Sequence, residues 1–266
     1  MAADNNTVEV EIPSSAAFID AAIDLSNILR KAKVEPVLRP KVVGAITTAL
    51  YAGDIAPDTQ DVLNELNRLT YNVINNSSNL NPKNKGRLIQ AISLTGNDYD
   101  RLNPYIFRII SLLKQLNIRA VLQSDADFLG MFYEAFLRYG YDNNAMGIVF
   151  TPRHITRLCV DLIGVNIGDK VIDLACGTGG FLVSAFDSLK KKCTVESSYE
   201  IVKDSLYGYD TNPTVWALSC LNMFFRGDGK SHIENTSSLI ASSKEIVKGK
   251  FNKAFLNPPF HQEGEP

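Results

Sequence analysis

Through the first half of the chain apolar residues recur every three or four positions, a spacing that predicts helices rather than alternating strands. Ser14 and Ser15 stand just ahead of Phe18, Ile19, Ala22, Ile23 and Leu25, so a helix capped by the serines is expected to run toward Pro36. A second is predicted over roughly 40–51, closed by Gly53. A third starts near Pro57, carries Val62, Leu63, Leu66, Leu69 and Val73, and ends in the polar cluster at 75–79. After Asn81-Pro82 a fourth carries Leu88, Ile89, Ile92 and Leu94, and two more are expected at 105–116 and 124–138. Nothing in these helices repeats or carries a glycine-rich loop.

The pattern changes after the polar stretch at 139–144, which reads as a boundary between a helical domain, 1–140, and a second domain, 141–266. Thr151-Pro152 opens a helix through Ile155, Leu158, Cys159 and Leu162, with the proline expected in its first turn. Short apolar runs then alternate with helices. Strands are expected at 170–175, 206–210, 232–234 and 253–256, with helices at 181–189 and 213–225. Such alternation predicts an α/β fold with a parallel sheet and right-handed crossovers.

Composition narrows the picture in a few places. A chain of 266 residues that is 45% apolar and 21% charged suits two modest globular domains. No stretch approaches the roughly 20 apolar residues needed to span a bilayer. Asp4, Glu9 and Glu11 stand where a signal peptide would be basic and then apolar, so a soluble, cytoplasmic protein without membrane contact is expected. A net charge of −2 announces no nucleic acid by itself. Cys159, Cys176, Cys193 and Cys220 form no CxxC pair, and His154, His232 and His261 are scattered, so no metal is expected. Trp216, Leu218, Leu221 and Met223 read as core, and Lys83, Lys85 and Arg87 as a solvated helix start.

Two loops carry the candidate chemistry. The first strand ends in Asp173-Leu174-Ala175-Cys176-Gly177-Thr178-Gly179-Gly180-Phe181, which offers bare backbone N–H groups and a helix N-terminus at the carboxyl edge of the sheet. Leu182 occupies the third glycine place of the dinucleotide fingerprint, and no Gly-Lys-Ser/Thr follows, so neither of those loops is matched. Asp173, facing the same cleft, suits an ammonium rather than a pyrophosphate, and Asp210 at the end of the second strand suits ribose hydroxyls. The ligand indicated has an amino-acid end and a ribose end. Cys176, with no histidine near it in sequence, reads as a packing residue.

One sheet position away stands Asn257-Pro258-Pro259-Phe260. Its two prolines remove backbone donors, leaving the Asn257 side-chain oxygen and the Pro258 carbonyl to accept both N–H bonds of an amino group, beside the flat face of Phe260. Such a loop suits the amino group of a heterocycle or an amide.

Together with Phe150-Thr151-Pro152-Arg153 and Tyr209-Asp210-Thr211-Asn212-Pro213, these segments resemble the DNA methyltransferases that modify adenine at N6. The resemblance is to the methylation subunits of type I restriction-modification systems and the related fused restriction enzymes, and covers about 131–260. It implies a Rossmann-like, class I S-adenosylmethionine-dependent fold. By that resemblance Phe150, Thr151 and Pro152 would border the methionine end of S-adenosylmethionine, and Asp173, Ala175, Gly177, Thr178, Gly179, Gly180 and Phe181 would form its loop. Asp210 would take the ribose, and Asn257, Pro258, Pro259 and Phe260 would grip an extruded adenine. Glu234-Asn235 stands where the family has an acidic residue near the cofactor's adenine, which leaves the role of Asn235 open. The implied partners are double-stranded DNA and either specificity and restriction subunits or a fused recognition domain. Only strands one to four of the usual sheet are expected, as in an amino-terminal fragment of a longer enzyme. Two alternatives stay open: methylation of a protein glutamine or an RNA base, and a cofactor-binding fragment without catalysis.

Overall fold

A computed structural model describes residues 13–118, 151–240, 248 and 250–258. In the helical part, α1 (Ser15–Lys31) starts where Ser14 Oγ accepts the Ala17 N–H at 3.3 Å. A single 3₁₀ turn, Pro36–Leu38, leads into α2 (Arg39–Ala52), which closes at Gly53. The third helix, α3 (Val62–Asn76), begins later than the expected Pro57, because Asp61 supplies the cap by accepting the Asn64 N–H at 3.0 Å. α4 (Pro82–Ile92) stops short of Leu94, whose backbone N–H and C=O both pair with the side-chain amide of Asn67. A helix the apolar spacing does not predict, α5 (Gly96–Leu102), is nucleated by reciprocal bonds between Thr95 and Asp98; α6 (Ile106–Gln115) follows. The helix expected at 124–138 and the boundary at 139–144 lie outside the described residues.

In the second half α7 (Arg153–Ile163) begins one residue beyond the expected proline. Pro152 is extended, and its carbonyl accepts the Ile155 and Thr156 N–H groups, so it caps the helix rather than entering its first turn. Only part of the apolar pattern of α7 is buried: Val160 is, whereas Ile155, Leu158 and Leu162 are 37%, 52% and 78% exposed. Then follow β1 (Val171–Asp173), α8 (Gly180–Lys190), α9 (Glu196–Lys203), β2 (Leu206–Asp210), α10 (Pro213–Phe225), β3 (His232–Asn235) and β4 (Lys253–Phe255). Of these only α9 is unforeseen by the sequence pattern. The strands pair in the order β3-β2-β1-β4, and every pairing is parallel.

Two apolar cores share α10. One gathers the helices of the first half around Leu25, Leu29, Ile46 and Leu66 and includes Leu218; the other covers the sheet with Phe186, Trp216, Leu221 and Ile233 and takes in Ile74, Leu80, Leu88 and Ile92. An apolar surface on every side fits a helix buried between two layers. Its start is fixed by Asn212, whose Oδ1 accepts the Thr214 and Val215 N–H groups at 3.0 and 3.2 Å. Trp216 is core, donating Nε1–H to the Ile233 carbonyl at 3.0 Å. Among the described residues no helix is long and apolar enough to cross a membrane. The cysteines are free: Cys176 and Cys220 are buried, and Cys159 and Cys193 are half-buried.

Candidate functional site

Strand order sets the site. β2 lies on one side of β1 and β4 on the other, so the direction of strand addition reverses at β1, and the crevice beyond its carboxyl end lies between the β1 and β4 loops. Asp173 is in register with Phe255, the last residue of β4, so the glycine loop and the segment containing Asn257 leave the same edge side by side. The β1 chain continues beyond the strand between its two neighbours: Leu174 N–H donates to the Phe255 carbonyl at 3.3 Å and Cys176 N–H to the Tyr209 carbonyl at 2.9 Å.

The glycine loop is held from behind. Asn222 of α10, buried, donates to the Thr178 carbonyl at 3.1 Å. Gly179 has φ +83°, and a Cβ there would lie 2.7 Å from Ser219 Oγ, so backbone conformation and the closeness of α10 both require glycine. At Gly180 a Cβ would meet Arg153 Nη1 at 3.1 Å, and Thr156 and Ser184 share a hydroxyl hydrogen bond of 2.7 Å; α7 is thereby seated on α8 at the loop. Phe181 is buried, its ring stacked on Phe255 with centroids 4.8 Å apart, which places it in the core beneath the site. Neither Asn222 nor Ser219 carries a motif that would have singled it out. Gly177 differs from Gly179, since a Cβ there would meet nothing within 4 Å and the loop lies open on that side.

Two carboxylates face this loop. Asp173 is 1% exposed; Oδ1 accepts the Ala175 N–H at 3.2 Å, and Oδ2 accepts no hydrogen bond among the described residues. Burial pushes its carboxyl up to about 7, partly offset by the Ala175 bond and assisted by the nearby Asp210 charge. Asp210 accepts the Asn212 N–H at 2.8 Å and the Gly177 N–H at 3.0 Å, which hold down a carboxyl that burial raises. The Asn235 Nδ2 donates to the carbonyls of Asp210 and Thr211 at 3.0 and 3.1 Å, bracing the turn after β2. Burial, and then the charges of Asp173 and Asp210, push the Cys176 thiol well up, which favours its protonated form.

On the β4 side, Asn257 is half-buried and Pro258 exposed, and Asn257 Nδ2 donates to Thr151 Oγ1 at 2.7 Å. Two segments 106 positions apart in sequence thus meet at one bond. Phe150, Pro259 and Phe260 lie outside the described residues.

The raised Asp173 carboxyl makes a prediction about stability. A folded-state pKa near 7 above an unfolded value near 3.8 means that the folded protein holds this proton more tightly. The stabilisation is complete below the unfolded value and is lost as pH rises through about 7. Asp173→Asn, which stays neutral, is therefore expected to gain thermal stability relative to the parent as pH goes from 5 to 8. A difference in melting temperature that stays constant over that range would show that the carboxylate is solvated.

The family described as N-6 DNA Methylase matches residues 124–265. Among curated proteins, the type II restriction enzyme and methyltransferase RM.BcgI of Heyndrickxia coagulans is 35% identical over 170 residues, covering 63% of this chain and 27% of the relative. The type I restriction enzyme MjaIX methylase subunit of Methanocaldococcus jannaschii is 32% identical over 138 residues, 51% of this chain and 23% of the relative. The chain therefore spans about a quarter of the length of these relatives. A solved modification subunit from Vibrio vulnificus YJ016 superposes with a TM-score of 0.62 at 17% identity, over 97% of this chain and 63% of that one, and shares the fold.

Proposed function

The chain belongs to the N-6 DNA Methylase family, and from that premise we propose that it carries the cofactor site and part of the acceptor site of an adenine-N6 DNA methyltransferase of a restriction-modification system. Its methyl donor is S-adenosylmethionine, which when bound supplies an electrophilic methyl group. The observation that carries the reading is the adjacency of two loops at one sheet edge: Asp173, with its buried unpartnered oxygen, opposite Phe255, and Asn257 two residues beyond.

The residues present fit the donor. Asp173 Oδ2 suits the ammonium of the methionine end, the open side of Gly177 admits the chain of the ligand, and Asp210 retains lone pairs for ribose hydroxyls. Thr151 and Pro152 belong to the segment assigned to the same end, and Phe150, next to them in sequence, is assigned there too. Asn257 Oδ1 and the Pro258 carbonyl accept the two N–H bonds of the adenine amino group, and Phe260 stacks on the ring once the base has left the duplex. Accepting both bonds weakens conjugation of N6 with the ring and aims its lone pair, so the acceleration comes from position and fixed dipoles without a strong base. Double-stranded DNA is the substrate, and specificity and restriction subunits, or a fused recognition region, are the partners of this reading.

Calorimetry of the chain with S-adenosylmethionine, and transfer of a labelled methyl group by the complete enzyme to duplex DNA, test it together. Label recovered as N6-methyladenine is expected. Label found in protein or RNA, or binding without any transfer by the complete enzyme, would overturn it. Asp173→Asn is expected to weaken cofactor binding by about 10- to 100-fold, the cost of losing one charged hydrogen bond. Near-parental affinity would remove Asp173 from the ammonium site.

A further inference from the structure

An asparagine used as an acceptor has a weakness. Its terminal torsion is broad and roughly two-fold, so oxygen and nitrogen exchange places at little cost. If nitrogen faced the substrate amine, donor would meet donor. In this structure the nitrogen is already committed, since Asn257 Nδ2 donates to Thr151 Oγ1 at 2.7 Å and Oδ1 is left for another donor. Both partners are anchored to α8. Thr151 precedes the capped start of α7, which is seated on α8 through Thr156 and Ser184 and through Arg153 against Gly180. Asn257 follows β4, whose Phe255 stacks on Phe181 of α8.

We propose that Thr151 is a positioning residue for methyl transfer: its hydroxyl oxygen holds the Asn257 amide by the nitrogen, so that Oδ1 faces the acceptor amine. The bond also joins the segment beside the methionine end of the donor to the loop that grips the base. This assignment rests on the adenine-methyltransferase reading above for its consequence in catalysis, while the bond itself is a property of the chain alone.

Thr151→Val keeps the shape of the side chain and removes the acceptor. In the complete enzyme it is expected to lower kcat by about 10- to 100-fold, the scale of a misoriented catalytic group. The dissociation constant for S-adenosylmethionine is expected to stay within about threefold, well under the tenfold step of a lost charged contact. Thr151→Ser, which restores the oxygen, is expected to rescue most of the loss. Added to Asn257→Ala, the valine substitution is expected to cost almost nothing more, because the group it orients is gone. In the 15N-labelled chain without cofactor, the Asn257 side-chain amide, identified by its absence in Asn257→Ala, is expected to exchange slowly with solvent and to lose that protection in Thr151→Val.

The proposal is overturned by a Thr151→Val enzyme of parental kcat, by a full additional loss in the Asn257→Ala background, or by an unprotected amide in the parent chain. Parallel loss of kcat and cofactor affinity also overturns it, since that pattern marks Thr151 as a donor contact. Failure of the parent enzyme to methylate adenine is a separate outcome: it sinks the substrate reading, and the amide exchange still decides the bond.

Discussion

Asn257→Ala in the complete enzyme is expected to lower kcat for methyl transfer by at least about 10²–10³-fold, the loss typical of deleting one preorganised dipole at a reacting centre. The dissociation constant for S-adenosylmethionine is expected to change little. The asymmetry follows from where the residue stands. Asn257 lies beyond the end of β4, half-buried, with its amide bonded to Thr151, whereas the carboxylates assigned to the donor stand on β1 and β2. Removing the amide leaves Asp173, Asp210 and the glycine loop on their own supports, which are the Ala175, Asn212 and Gly177 N–H groups and the Asn222 side chain. What disappears is an acceptor for one N–H of the substrate amine, and the remaining carbonyl of Pro258 cannot orient the nitrogen alone. Single-turnover rates with preformed enzyme, donor and DNA separate the two quantities. Comparable losses in rate and donor affinity would mean that the loop chiefly supports the fold, and the acceptor assignment would be withdrawn.

Much of the scaffold of this site is legible from residue order, for physical reasons that also explain what is not. β2 and α10 are readable because Asp210-Thr211-Asn212-Pro213 marks a strand end, a cap and a helix start in succession, and because α10 is apolar nearly throughout. The glycine loop is readable since a strand that turns straight into a helix needs residues tolerating φ near +55° and +83° at Gly177 and Gly179. The helix α9 leaves no such trace. Of its residues only Val202 and Lys203 are buried, and its neighbour Val195 and its Ile201 are 57% and 51% exposed, so no periodic apolar face announces it. The short α5 is signalled by Thr95 and Asp98, a capping pair without an apolar run behind it. Asn235 shows the limit at the site itself. Its position at the end of β3 is visible in the sequence, but that its amide braces the β2 turn depends on the parallel register of Asp210 with Asn235. The Thr151–Asn257 bond is likewise a product of topology, created by β4 pairing beside β1.

The second large effect is expected far from the chemistry, where the helical half meets the sheet. Gly229, in the turn between α10 and β3, is buried against the link between α3 and α4. A Cβ at this position would lie 1.9 Å from the Asn79 carbonyl oxygen and 2.9 Å from its carbon. Both are backbone atoms, so no side-chain rotation relieves the clash. The two segments are also bonded together here: Asn81 N–H donates to the Gly229 carbonyl at 2.8 Å and Asn79 Nδ2 to the Gly227 carbonyl at 2.9 Å. Nearby, Asn84 Nδ2 donates to the Ile233 carbonyl at 3.0 Å, and Leu80 is inserted into the core of the sheet half. Gly229→Ala must therefore separate two backbones and weaken several hydrogen bonds at once. Overpacking of this kind costs about 1–3 kcal/mol and occasionally more, and rigid backbone on both sides places the expectation at the upper end. For a chain of this size about 3 kcal/mol corresponds to a fall in melting temperature of roughly 6–12 °C. Gly86→Ala is the control. Gly86 is exposed inside α4 with nothing within 4 Å of a Cβ, so that substitution is expected to stabilise by about 0.5–1 kcal/mol through helix propensity. Scanning calorimetry of both variants decides the matter. If Gly229→Ala melts with the parent, the α3–α4 link does not press on this turn in solution.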